Sequence, residues 1–121
     1  MRILIAEDEG ATRETYRAIL ESDGHAVTVT SNGRECLEVF RNDRQRYDVI
    51  ILDYRMPVND GIFVLNEILR SAPDQRVIVA TAYPLDQVRS LDRFSQNIAW
   101  VQKPFDLVTL SNMVCTFYDK P

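Results

Sequence analysis

Nitrogen and sulfur ligands are scarce in this sequence. It has one histidine, His25, and two cysteines, Cys36 and Cys115, at no ligand-like spacing to one another. A structural zinc site needs about four such ligands, so zinc is excluded. Both cysteines fall in predicted helices and read as buried free thiols of a reducing cytoplasm, not as a disulfide. No stretch approaches the roughly 20 apolar residues that span a bilayer. An apolar strand begins by residue 3, which leaves no room for a secretion signal before it. A cytoplasmic protein without a membrane partner is therefore expected. Clustered basic residues are also lacking: only Arg41, Arg44 and Arg46 lie close together, and the net charge is −4. Phosphate contacts need grouped Lys and Arg, so direct nucleic-acid binding is not expected. Without repeats, low-complexity tracts or linkers, 121 residues read as one domain over 1–121 with one core.

Short apolar runs alternate with longer amphipathic ones. Strands are predicted at 2–6, 26–30, 47–52, 76–80 and 98–101, and helices at 11–22, 32–43, 61–70, 85–94 and 106–118. This alternation implies a parallel sheet with right-handed crossovers and helices on both faces. Gly24 suits the left-handed position after the first helix. Ser31 or Asn32 caps the second, with Glu35 placed to complete a capping box. Asp60 caps the third and Pro73 stops it, while Pro84 precedes the fourth. Within 85–94 the apolar residues recur every third position, a stripe that drifts around a 3.6-residue helix and suits a short, loosely packed or partly 3₁₀ element. The last helix has a core face at 107, 110, 114 and 117 and a thinner second stripe at Val108, Cys115 and Tyr118.

The chemistry collects at strand ends. Glu7 and Asp8 follow the first strand, Asp53 the third, Thr81 ends the fourth and Lys103-Pro104 follows the fifth. In a parallel sheet these ends share one rim, where open α/β folds place their ligands. Acids gathered there need a neutralising cation, which points to metal-assisted chemistry. Glu9 reads as a helix-start charge, Asp60 as a cap alone, and His25 as a surface residue that carries no phosphoryl group.

This inventory resembles the receiver domains of two-component response regulators. The resemblance spans essentially the whole chain, through Ile3-Leu4-Ile5-Ala6-Glu7-Asp8-Glu9, Leu52-Asp53-Tyr54-Arg55-Met56-Pro57, Asp60-Gly61, Thr81-Ala82 and Lys103-Pro104-Phe105. It implies a flavodoxin-like, doubly wound five-stranded parallel sheet in strand order 2-1-3-4-5. It implies a phosphoacceptor switch of a phosphorelay, in which Asp53 receives a phosphoryl group from a histidine kinase or histidine phosphotransfer protein. Asp8, Asp53, the Arg55 carbonyl and Glu7, directly or through a water, would hold Mg²⁺ or Mn²⁺; the family more often has Asp where Glu7 stands. Lys103 and Thr81 would neutralise and hydrogen-bond the phosphoryl oxygens, and a cis bond would precede Pro104. Thr81 and Trp100 would relay the event. Arg55 and Tyr83, flanking Asp53, would slow hydrolysis. The 85–94 helix, fifth strand and last helix, with Trp100, would face a second copy, an output domain or an effector. Beyond self-catalysed phosphorylation and slow self-dephosphorylation, no enzyme activity is implied.

Two other readings compete. A haloacid-dehalogenase-like phosphatase shares the strand-end aspartate, threonine, lysine and Mg²⁺. It needs a second acid where Arg55 stands, and a cap domain for which this length has no room. A pseudo-receiver, acting only as an interaction module, would not need Asp8, Asp53, Thr81 and Lys103 together.

Overall fold

The computed structural model describes residues 1–43, 46–55, 60–84 and 97–119, with Tyr118 and Asp119 as backbone only. Its elements are β1 (Arg2–Ala6), α1 (Gly10–Ser22), β2 (Ala26–Thr30), α2 (Gly33–Asn42), β3 (Val49–Asp53), α3 (Gly61–Ser71), β4 (Val77–Thr81), β5 (Ile98–Gln102) and α4 (Leu107–Asp119). The strands form one five-stranded sheet in the order β2-β1-β3-β4-β5, every pairing parallel. This is the expected flavodoxin-like arrangement.

Alternation along each strand divides the core between the two faces. Leu4, Ile50, Leu52, Val77, Val79 and Trp100 pack with Cys36 and Leu37 of α2 and with Val64, Leu65 and Ile68 of α3. Ile3, Ile5, Val49, Ile51, Ile78 and Val101 pack with Tyr16 and Leu20 of α1 and with Leu110, Val114 and Phe117 of α4. Every residue of β3 and β4 is buried, which is why these strands read as continuous apolar runs.

The helix ends follow local chemistry. Asn32 caps α2, accepting the Glu35 N–H at 2.8 Å. Glu35 reaches back to the N–H and hydroxyl of Ser31, both at 3.3 Å, so the return bond falls one residue before the cap. Gly24, at φ 96°, closes α1. Asp60 accepts the Phe63 N–H at 3.0 Å, and Asp106 accepts the Thr109 N–H at 2.8 Å.

Several expectations need correction. β3 starts at Val49, two residues later than predicted, and takes in Asp53. Asp48 is used instead to receive the Arg2 N–H on its carboxylate at 2.8 Å, while Asp53 pairs with Ala80. Cys36 is fully buried, and burial pushes its thiol up to about 12. Cys115 is exposed, because the 110/114/117 stripe of α4 turns it away from the sheet. His25 is half-buried, with Nδ1 3.4 Å from the terminal amino group. Trp100 is 7% exposed, so in this conformation it adds no surface beside Val108 and Cys115. The predicted 85–94 helix, the role of Pro84 before it, Arg44 and the Tyr118 side chain lie outside the described residues and side chains. Among the described residues no helix is long and apolar enough to cross a membrane.

Candidate functional site

Four strand ends build the site. Glu7 extends β1 by one residue, its N–H donating to Thr30 O at 3.1 Å, and its side chain turns into the rim, 2% exposed. Asp8 stands outside it, exposed. Asp53 ends β3 at 8% exposure, and Thr81 ends β4 fully buried. Lys103 follows β5. Its N–H donates to Thr81 O at 2.6 Å, and the bond to Pro104 is cis, as the resemblance implies.

The Lys103 ammonium bridges two of the acids, 3.0 Å from Glu7 Oε1 and 3.0 Å from Asp53 Oδ2. The other oxygen of each acid receives a backbone donor at 3.3 Å, Glu9 N–H for Glu7 and Arg55 N–H for Asp53. Glu7, Asp8 and Asp53 each offer an oxygen within 4.8 Å of the others. Burial, then the nearby Asp53, raises the Glu7 carboxyl above its ordinary value although Lys103 pulls it down. Asp8, though exposed, is raised by partial desolvation at the rim and then by Glu7. Burial acts to lower the Lys103 ammonium, but its bonds to Asp53 and Glu7 outweigh this and raise it. Carboxylates in excess of the local ammonium, all hard oxygen donors, suit a divalent cation such as Mg²⁺.

At the mouth, the Thr81 hydroxyl accepts the Tyr83 N–H at 2.9 Å. The Arg55 guanidinium donates to the Tyr83 hydroxyl and lies 5.4 Å from the centre of its ring, so the two flanking residues form one unit. Tyr54 meets Tyr83 edge-on at 5.6 Å and stands 6.3 Å from Trp100.

Three features escape a reading of the sequence. The Glu7–Lys103 bond joins residues far apart in the chain. Tyr54, between Tyr83 and Trp100, reads there only as part of a motif. Gly61 is fixed by close packing: a Cβ there would lie 2.4 Å from Asp53 O and 2.9 Å from Tyr54 Cα. Its N–H also donates to Tyr54 O at 2.9 Å, which sets the start of α3 against the end of β3. A glycine at the first position of a helix, directly after its cap, is the one signal for this in the sequence.

A family model described as the response regulator receiver domain matches residues 3–115. Response regulator MprA of Mycolicibacterium vanbaalenii is 33% identical over 112 residues, which are 91% of this chain and 47% of that protein. MprA of Mycobacterium leprae is 34% identical over the same shares. The chain thus spans about half the length of these curated relatives. Among solved structures, response regulator TrrA of Thermotoga maritima in complex with Mg(2+)-BeF is 33% identical at a TM-score of 0.81, with 96% of this chain and 97% of that one covered. A receiver domain protein of Clostridium thermocellum is 27% identical at a TM-score of 0.87, covering 98% and 94%.

Proposed function

Because this chain belongs to the response regulator receiver domains, a family of signalling switches that generally bind Mg²⁺, we propose that residues 1–121 act as one phosphoacceptor unit with Asp53 as the acceptor. The observation that carries this reading is the Lys103 ammonium 3.0 Å from Asp53 Oδ2, at a rim where three carboxylates converge. An Asp53 oxygen bonds to phosphorus as the bond from phosphorus to the imidazole of a kinase or phosphotransfer protein breaks. Asp8, Asp53 and the Arg55 carbonyl would hold Mg²⁺ or Mn²⁺, with Glu7 contributing directly or through a water, and the cation when bound supplies positive charge against the phosphoryl oxygens. Lys103 supplies further positive charge from the β5 side. The Thr81 oxygen already accepts the Tyr83 N–H, so its own proton points to a phosphoryl oxygen as the next partner.

The Arg55–Tyr83 pair closes over Asp53 and slows hydrolysis of the acyl phosphate. An Arg55→Ala, Tyr83→Ala double variant shortens the phospho-lifetime; an unchanged lifetime refutes this role. Trp100 reorients on phosphorylation, with Thr81 as the trigger. Its emission, the only indole signal in the chain, then differs between Mg²⁺ alone and Mg²⁺ with a phosphoryl mimic. The event passes to an output domain, an effector or a second copy through the face carrying exposed Val108.

Incubation with Mg²⁺ and acetyl phosphate, read by intact mass, tests the whole. A switch gains one phosphoryl group, which peptide mapping locates on Asp53. Repeated turnover of the donor without a stable adduct indicates a phosphatase, and neither outcome leaves only an interaction module.

A further inference from the structure

Glu7 is gripped more firmly than a carboxylate waiting for a ligand. Oε1 takes the Lys103 ammonium at 3.0 Å, Oε2 takes the Glu9 N–H at 3.3 Å, and its carbonyl takes Arg13 Nη1 at 3.0 Å. Its side chain is 3% exposed. The same ammonium reaches Asp53 Oδ2 at 3.0 Å, so Glu7 and Asp53 share Lys103 between them. Aspartate at position 7 would be shorter by one carbon–carbon bond, about 1.5 Å, which is enough to break the Glu7 side of that bridge.

We propose that Glu7 is a positioning residue that acts through Lys103, tethering the ammonium across Asp53 so that lysine and a divalent cation compete for the same carboxylate oxygens. The inference rests on the phosphoacceptor reading of this site and assigns Glu7 a part within it. Among the described residues, Lys103 provides the ion pairs made by Glu7 and Asp53. A divalent cation must therefore share these oxygens with the ammonium or displace it. Glu7 sets how firmly the ammonium resists, and keeps it beside Asp53 until a phosphoryl group arrives.

The test is a double-mutant cycle on Mg²⁺ affinity, measured by calorimetry with the metal alone on wild type, Lys103→Met, Glu7→Asp and the double variant. Removing the ammonium tightens Mg²⁺ binding about tenfold. Glu7→Asp tightens it several-fold with Lys103 present and by less than about twofold in the Lys103→Met background, because the effect travels through the lysine. A wild type too weak to measure beside a Lys103→Met variant that binds supports the same conclusion. Unchanged or weaker binding in Lys103→Met overturns the proposal, as does absence of binding in both. An equal Glu7→Asp effect in both backgrounds also overturns it, since Glu7 would then act on the metal directly. Urea unfolding confirms that each variant is folded, and Lys103→Gln replaces any Lys103→Met protein that is not. The cycle uses no phosphoryl donor, so it stays readable if acetyl phosphate fails to modify wild type, an outcome that refutes the phosphoacceptor reading alone.

Discussion

The two edges of the sheet handle charge in opposite ways. At the edge where the strands begin, acids have their own partners. Arg2 pairs with Asp43 at 2.5 Å, donates to the Arg46 carbonyl at 3.0 Å and covers the Tyr47 ring at 4.5 Å. Asp48 receives the Arg2 N–H, and Arg46 pairs with Asp74 at 3.0 Å. At the edge where the strands end, Glu7, Asp8 and Asp53 crowd within reach of one another while Lys103 bonds only two of them. Among the described residues, the named acids of the first edge all have partners within the chain. The second edge keeps, among the described residues, an excess of negative charge that a bound cation would relieve, and such uncompensated charge is typical of working sites. One edge holds the fold together, and the other is held by it.

Substitutions separate the two roles. The largest contrast is in chemistry: Asp53→Asn abolishes phosphoryl uptake from acetyl phosphate by intact mass, whereas Arg2→Ala leaves uptake at the wild-type level. Equal loss in both would erase the division. Next is Gly61→Ala, which places a methyl against the backbone of Asp53 and Tyr54. It costs about 3 kcal/mol of stability in urea unfolding, since backbone atoms must shift to admit it. It also slows phosphorylation by moving Asp53. A loss under about 1 kcal/mol would show that the β3–α3 junction yields more easily than its packing suggests.

The sheet was legible because buried strands and amphipathic helices announce themselves in short windows, and the rim residues because all parallel strands end on one side. Caps such as Asn32 and Asp60 depend on neighbours three residues away, and they too were legible. The contacts between strand ends were not. Glu7 and Lys103 lie 96 residues apart, and Arg55 and Tyr83 28 apart, distances at which no local pattern carries information. Against the family's more frequent aspartate Glu7 stands out in the sequence, but only the fold shows that it reaches the lysine. The exposure of Cys115 escapes the sequence for a related reason: an apolar stripe fixes which helix face can be buried, and the neighbouring sheet decides how wide that face is. By resemblance Trp100 goes with the outward face of the fifth strand and last helix, whereas the fold packs it into the cluster with α2 and α3.

The remaining predictions are smaller and opposite in sign. Arg2→Ala removes a half-exposed ion pair and the contact with Tyr47, and it lowers stability by about 1 kcal/mol in urea. Asp8→Asn at the other edge raises metal-free stability by about 0.5 kcal/mol at neutral pH, a figure kept low because Asp8 is exposed to screening solvent. The pH dependence identifies the cause. Partial desolvation and Glu7 raise the folded Asp8 carboxyl above its ordinary 3.8. Its contribution to stability is therefore complete below 3.8 and is lost as pH rises through the folded value. Asparagine cannot ionise, so the gain in Asp8→Asn is full near neutrality and fades as pH falls toward 3.8. If Asp8 holds the cation as proposed, saturating Mg²⁺ reverses the order, because a cation bound only by the folded state then stabilises wild type more than a variant without that carboxylate. If Asp8→Asn instead lowers stability without metal, the two edges do not differ in charge balance, and the contrast between them fails.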